Sequence, residues 1–124
     1  MKRILIVDDY PEILNLLQKY LQDYYYVQTS NNAADAFELL KKNDYDLLIT
    51  DVFMPGKDGL TLILEMSHSL KKPKMKVIAM SGGDDCISEK NLYSIAEPMV
   101  NAFFKKPLDI LGLKAMIDDL LVTA

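Results

Sequence analysis

The sequence lacks the features of secreted and membrane-spanning proteins. It contains one cysteine, Cys86, which excludes an internal disulfide and fits the reducing cytoplasm. No second cysteine lies near it, so a thiolate metal site is not expected. The apolar run 4–7 is far too short for a signal-peptide core or a membrane span. We therefore expect a cytoplasmic protein with no membrane partner.

An excess of basic residues is also missing. The 124 residues include 18 acidic and 14 basic side chains, which give a net charge of −4. Nucleic-acid binding relies on a basic face that displaces counterions, so no direct nucleic-acid partner is expected. No repeat, linker or low-complexity tract divides the chain, and its length suits a single domain over residues 1–124.

The stretch 47–59 carries the clearest structural signal. An apolar run ends at Asp51, a Pro/Gly turn follows, and a helical pattern begins after Asp58. An apolar run that is cut off by turn residues is typical of a buried parallel strand. Asp51 would then lie at the carboxyl end of that strand, where open α/β sheets keep their ligand sites.

Strand and helix patterns alternate along the whole chain. The predicted strands are residues 4–7, 24–28, 47–51, 77–80 and 102–104. Each is followed by a helical pattern, and the fourth of these helices is predicted over residues 88–96. Such alternation requires crossover connections and favours a doubly wound α/β fold, in which helices cover both faces of a parallel sheet.

Several residues mark where the helices begin and what they bury. Pro11 suits a first helical turn, and Asn31 or Asn32, Asp58 and Asp109 suit helix caps. For the third helix, the predicted inner stripe is Leu60, Ile63, Leu64 and Ser67.

Four predicted strands end in polar residues that can converge. These are Asp8 and Asp9, Asp51, Ser81 and Lys106. Three neighbouring carboxylates repel one another unless a cation compensates them, and Mg²⁺ together with Lys106 can do so. An aspartate beside a divalent cation, a lysine and a serine hydroxyl can accept a phosphoryl group.

In this combination the sequence closely resembles the CheY-like receiver domain of bacterial response regulators. The resemblance covers the whole chain and rests on Asp8-Asp9, on Asp51 with the motif Met54-Pro55-x-x-x-Gly59, on Ser81 and on Lys106-Pro107. It implies a flavodoxin-like sheet of five parallel strands in the order 2-1-3-4-5, with five helices. The pair Met99-Val100 departs from the family, which usually has Gly-Ala before the last strand.

The resemblance also implies roles for the site residues. Asp51 is the expected phosphoacceptor, and Ser81 and Lys106 are expected to contact its phosphoryl oxygens. Lys105 is the rival lysine, but neighbouring strand residues point to opposite faces. The Lys106–Pro107 peptide bond is expected to be cis.

The metal ligands and the switch follow from the same resemblance. Mg²⁺ is expected to be bound directly by Asp9, mainly through water by Asp8, and also by Asp51 and the backbone carbonyl of Phe53. Phe103 takes the place of the aromatic switch residue, although a plain core role suits it equally well. The bulk of Phe53 is predicted to restrict the attack of water on the phosphoryl group.

A signalling function follows as an expectation. A histidine kinase or histidine phosphotransfer protein would phosphorylate Asp51, and the fourth helix, fifth strand and fifth helix would present the changed surface to a separate protein target. The chain would take part in its own phosphorylation and dephosphorylation without being a metabolic enzyme.

Three alternatives from other classes remain. A phosphohydrolase of the haloacid dehalogenase type would need an acidic residue where Phe53 stands. A receiver fold could bind partners without being phosphorylated, although every site residue is present. An FMN-binding flavodoxin would need a Ser/Thr-rich phosphate loop after the first strand, which this chain lacks.

Overall fold

A five-stranded parallel sheet forms the centre of the molecule. The computed structural model describes residues 1–54, 56, 58–70, 72, 74–81, 99–106 and 109–122. The strands are β1 (Arg3–Val7), β2 (Tyr26–Ser30), β3 (Leu47–Asp51), β4 (Lys76–Ser81) and β5 (Ala102–Lys105). Their order across the sheet is β2-β1-β3-β4-β5, and all neighbours are parallel. The predicted sheet and its strand order are therefore confirmed.

The described residues contain four helices. They are α1 (Pro11–Leu21), α2 (Ala33–Lys42), α3 (Gly59–Ser69) and α4 (Ile110–Val122), the last of which was predicted as the fifth helix. The helix predicted at 88–96, Cys86 and Pro107 lie outside the described residues, so their predictions stay untested. None of the described helices combines the length and apolar character needed to cross a bilayer.

Apolar side chains fill both faces of the sheet. Along β1, Ile4 and Ile6 point to one face and Leu5 and Val7 to the other, as strand alternation requires. Helices α1 and α4 pack on the first face with Leu14, Leu17, Leu21, Leu113, Ile117 and Leu121. Helices α2 and α3 cover the second face. The central strands β1, β3 and β4 are therefore buried on both faces. The polar site residues gather at the carboxyl edge of the sheet.

Local signals in the sequence define most helix starts correctly. Pro11 is the first residue of α1. The side chains of Asn32, Asp58 and Asp109 each accept a hydrogen bond from a backbone N–H three residues later, at 2.7, 2.7 and 3.1 Å. Each bond satisfies a helical N–H that has no partner within the helix. The predicted caps are confirmed, and Asn32 is the cap of α2.

The predicted stripe of α3 was right for Ile63 and for Leu60, which packs against the core, but wrong for Ser67, and the predicted start of β2 was wrong. Helix α3 buries Leu62, Ile63 and Met66, whereas Ser67 is exposed. The helix begins at Gly59, which lies against the end of β3, and this contact sets its rotation. β2 starts at Tyr26 because the preceding residues complete a turn on α1, where the N–H groups of residues 24 and 25 both donate to the Leu21 carbonyl.

Candidate functional site

The carboxyl ends of the strands bring a lysine and two aspartates into direct contact. Asp8 follows β1, Asp51 ends β3 and Lys106 follows β5. The Lys106 Nζ lies 3.0 Å from Asp8 Oδ2 and 3.2 Å from Asp51 Oδ2. Asp8 is fully buried and Asp51 is 3% exposed. A partly buried ammonium thus bridges two buried carboxylates from neighbouring strands.

The lysine at this position is Lys106, as the resemblance implies, and not Lys105. Lys105 is exposed and is aligned with Ser81 in the register of β4 and β5. The backbone N–H of Lys106 donates to the Ser81 carbonyl at 2.8 Å. This bond holds the chain after β5 against the end of β4, so the Lys106 side chain can reach across the edge of the sheet.

Three carboxylates form an oxygen-rich cluster at the same edge. Asp8, Asp9 and Asp51 each offer an oxygen, and the three oxygens lie within 4.8 Å of one another. Asp8 Oδ1 accepts the Tyr10 backbone N–H at 2.9 Å, which fixes the orientation of this carboxylate. Within the described part of the chain, Asp9 Oδ1 is buried without a hydrogen-bond partner. A clustered set of hard oxygen donors with one unsatisfied oxygen fits Mg²⁺.

Burial and charge shift the protonation of the two central groups. Burial raises the pKa of Asp51 to about 6, an effect that Lys106 opposes and the Asp8 charge reinforces. Burial disfavours the charged form of Lys106, but its hydrogen bond to Asp8 and the charge of Asp51 together raise the Lys106 pKa. At neutral pH, Asp51 is therefore ionised and Lys106 is cationic. A carboxylate with a raised pKa is also a better nucleophile than an ordinary one.

Gly59 allows α3 to start directly beside Asp51. A Cβ atom at Gly59 would lie 1.9 Å from the Asp51 backbone oxygen and 2.9 Å from Thr50 Oγ1. The Gly59 N–H donates to the Val52 carbonyl at 2.9 Å, and this bond closes the connection. Since the obstacle is backbone, it cannot move aside as a flexible side chain could. The glycine of the Met54-Pro55-x-x-x-Gly59 motif thus sets the backbone of Asp51.

Substitution of Gly59 by alanine is expected to lower the free energy of unfolding by about 2–3 kcal/mol, because the new methyl group forces β3 and α3 apart. Urea denaturation of Gly59→Ala checks this value. Gly56→Ala is the matched control, because Gly56 has a positive φ but, its own chain neighbours apart, no atom of the described residues lies within 4 Å of the position that an alanine Cβ would take there. A loss at position 59 no larger than that at position 56 would contradict the close-approach explanation.

Tyr10 is a site residue that the sequence reasoning missed. Its ring lies over Lys106, with 5.5 Å between the ring centroid and Nζ, and half of the residue is exposed. It lines a groove over the site together with Asp9, Phe53, Met54 and Asp58. The signal in the sequence was an aromatic residue directly after the Asp8-Asp9 pair.

The remaining predicted residues lie where the resemblance places them, and their roles stay predictions. Ser81 is 3% exposed at the end of β4. Phe53 is partly buried and lines the groove. Phe103 is aligned with Ala79 of β4, is partly buried and packs against the apolar cluster on the α2 and α3 face.

Comparison with known proteins identifies the family. The family model for the response regulator receiver domain matches residues 4–118. Chemotaxis protein CheY-3 of Vibrio cholerae is 26% identical over 118 residues, which make up 94% of this chain and 88% of that protein. The transcriptional regulatory protein KdpE of Staphylococcus aureus is 31% identical over 116 residues, covering 93% of this chain and 48% of KdpE.

A solved structure agrees with the sequence relatives. The response regulator protein TrrA from Thermotoga maritima, crystallised in complex with Mg²⁺-BeF, superposes with a TM-score of 0.81 and 30% sequence identity. The match covers 97% of this chain and 99% of TrrA. With the strand order and the site geometry, these matches show that the chain belongs to the response regulator receiver domain family of two-component systems.

Proposed function

We propose that this receiver domain accepts a phosphoryl group on Asp51 from a histidine kinase or histidine phosphotransfer protein in a Mg²⁺-dependent reaction. The observation that carries the proposal is the Lys106 ammonium, which contacts both Asp8 and Asp51 beside the cluster of three carboxylates. A structural ion pair would need one carboxylate. The additional carboxylates raise the electrostatic cost of the site and favour a role in chemistry.

Asp51, Lys106 and Ser81 have different proposed roles in phosphoryl transfer. An Asp51 carboxylate oxygen attacks phosphorus while the P–N bond of the phosphohistidine breaks, and the bonding electron pair leaves with the imidazole nitrogen. Lys106, 3.2 Å from Asp51 Oδ2, supplies a fixed positive charge for the transferring oxygens. The Ser81 hydroxyl would bind one of those oxygens. When bound by Asp8, Asp9, Asp51 and the Phe53 carbonyl, Mg²⁺ would neutralise further phosphoryl charge.

We propose a phosphoacceptor that signals, and not a metabolic enzyme. A phosphohydrolase of the haloacid dehalogenase type uses a second acid two residues after its nucleophile, and that position is Phe53, which cannot transfer protons. The acyl phosphate would therefore stay on Asp51 until the domain's own slow hydrolysis or a partner removes it.

A separate protein is the proposed target of the signal. Leu111 and Val122 are large apolar residues of α4 that are 73% and 80% exposed, and their spacing places them on one helix face with Ala115 and Asp119. Exposed apolar side chains that share a face are typical of a protein-binding surface. This supports output through α4, whereas the parts of β5 and of the predicted fourth helix in output stay predictions.

Intact mass after incubation with a small phosphodonor tests the proposal. We expect a gain of one phosphoryl group that requires Mg²⁺ and is abolished in Asp51→Asn. Asp58→Asn is the matched control, because Asp58 is a carboxylate at the same groove whose side chain caps α3. It is expected to label like the native protein, since asparagine caps helices equally well.

Two results would contradict the proposal. One is the absence of labelling under conditions that label a known receiver domain, which would favour a binding module that works without phosphorylation. The other is labelling of Asp51→Asn to the same extent as the native protein, which would place the modification on another residue.

A further inference from the structure

The aromatic ring of Tyr10 stands at the entrance to the phosphorylation site and has no role in the transfer described above. One face of the ring lies over the Lys106 ammonium, at 5.5 Å from the centroid. The residue is 55% exposed, so much of the ring remains open to an incoming molecule. Its backbone N–H is bonded to Asp8, which anchors the main chain at this point. Tyr10 is thus an accessible aromatic residue that contacts Lys106, whose ammonium in turn contacts Asp51.

The geometry of phosphoryl transfer sends the leaving group toward this surface. The attacking and leaving atoms lie roughly in line across phosphorus. Asp51 is buried, so the leaving group must lie on the solvent side of phosphorus. A groove at this edge is lined by Tyr10, by Phe53 and by Asp9, whose carboxylate belongs to the same cluster as that of Asp51. The leaving group of a donor therefore lies near the Tyr10 ring both before the transfer and as it departs.

We propose that Tyr10 is a specificity-determining residue that favours phosphodonors whose phosphoryl group is carried by a flat, protonated aromatic ring such as imidazole. The inference rests on the proposed function and names how the same site recognises its donor. A protonated imidazole is both a planar ring and a cation, so it can stack on Tyr10 and gain a cation–π attraction. A donor whose phosphoryl group is carried by an amine or acyl group has no ring that can stack on Tyr10.

The step is the same for every donor with a P–N bond, which makes the leaving group the one variable. The Asp51 oxygen forms a bond to phosphorus, the P–N bond breaks, and its electron pair stays on nitrogen. In phosphoimidazole, the proton on the second ring nitrogen makes the departing imidazole neutral. In phosphoramidate, the nitrogen already carries three protons as an ammonium group, so it departs as neutral ammonia. The comparison of these two donors therefore isolates the effect of the ring.

The experiment measures the second-order rate constant of Asp51 phosphorylation with phosphoimidazole and with phosphoramidate at saturating Mg²⁺. Because the chain has no tryptophan, acid-quenched samples are followed by intact mass. The readout is the ratio of the two rate constants. In Tyr10→Ala we expect this ratio to fall by about two- to fivefold, the effect of one exposed contact between two aromatic rings. In Tyr10→Phe, which keeps the ring, the native ratio is expected to return.

Tyr26→Ala provides a matched control. Tyr26 is 54% exposed and its ring also lies near a cation, Arg3, at 5.1 Å. It is paired with Arg3 at the amino end of the sheet, away from the site. Its loss is expected to leave the ratio unchanged.

The outcomes separate this inference from the proposed function. If Tyr10→Ala slows both donors equally, Tyr10 acts through Lys106 or the fold, and donor recognition by its ring is overturned while phosphorylation of Asp51 stands. An unchanged ratio with unchanged rates also overturns it. If neither donor labels the native protein, the proposed function falls and the inference falls with it.

Discussion

Replacement of Lys106 by methionine is expected to slow phosphorylation of Asp51 by about 100-fold, the typical cost of removing one preorganised charge partner from a transferring group. Methionine keeps the length and apolar stem of lysine and removes only the ammonium. The expected loss follows from the position of Nζ, 3.2 Å from the nucleophilic carboxylate. The rate constant with phosphoramidate at saturating Mg²⁺ measures it.

The same substitution is expected to destabilise the metal-free protein. Asp8 is fully buried and the Asp51 side chain is 5% exposed, so loss of the ammonium leaves two carboxylates with neither water nor a cation to compensate them. Removing one partner of such a buried ionic group costs about 3 kcal/mol or more. Urea denaturation in the presence of a chelator, at about pH 8, measures the loss.

Lys105→Met is the control for both measurements. Lys105 is exposed, and exposed ion pairs contribute at most about 1 kcal/mol. We expect near-native labelling and near-native stability for this variant. Equal effects at positions 105 and 106 would show that the central role of the Lys106 ammonium is wrong.

The strands and the polar residues at their ends were the predictable part of the molecule. Asp8, Asp51 and Ser81 each follow an apolar run that has few other interpretations, and parallel strands place such residues at one edge. The choice of Lys106 over Lys105 also followed from alternation along the strand together with the family motif. These features are encoded locally, so one sequence suffices to find them.

The parts that were mispredicted depend on contacts between elements. The rotation of α3 is set by Gly59 against the Asp51 backbone, and apolar residues on several sides of this helix left its buried stripe ambiguous. The start of β2 depends on how long the turn after α1 continues to bond to Leu21. Tyr10 was missed because its importance comes from Lys106, which is 96 positions later in the chain.

Asp51→Asn is expected to stabilise the metal-free protein by about 2–3 kcal/mol at about pH 7.5, even though it removes a partner of Lys106. Burial raises the pKa of Asp51 from 3.8 to about 6. The folded protein therefore binds a proton more tightly at this site than the unfolded chain does. As pH rises from about 4 to 6, ionisation of Asp51 costs stability, and a shift of this size corresponds to roughly 3 kcal/mol.

Urea denaturation of the native protein and of Asp51→Asn, with a chelator present, follows this difference across pH. The gain is expected to disappear below about pH 4, where the Asp51 carboxyl is protonated and resembles the neutral amide. Asp58→Asn, which changes the same chemical group at a helix cap, should show no comparable gain. A variant less stable than the native protein at about pH 7.5 would mean that the ion pair with Lys106 outweighs the cost of burying the charge.

Addition of Mg²⁺ is expected to reverse the order of stability, because a ligand that binds only the folded state stabilises it in proportion to its affinity. The native protein keeps three carboxylates for the cation, whereas Asp51→Asn keeps Asp8 and Asp9 alone. The native denaturation midpoint should therefore rise with Mg²⁺ concentration far more than that of the variant. Equal rises of the two denaturation midpoints would show that the cation binds away from Asp51. The electrostatic cost of the metal-free carboxylate cluster and its affinity for a divalent cation thus have the same origin, which is the burial of like charges at one edge of the sheet.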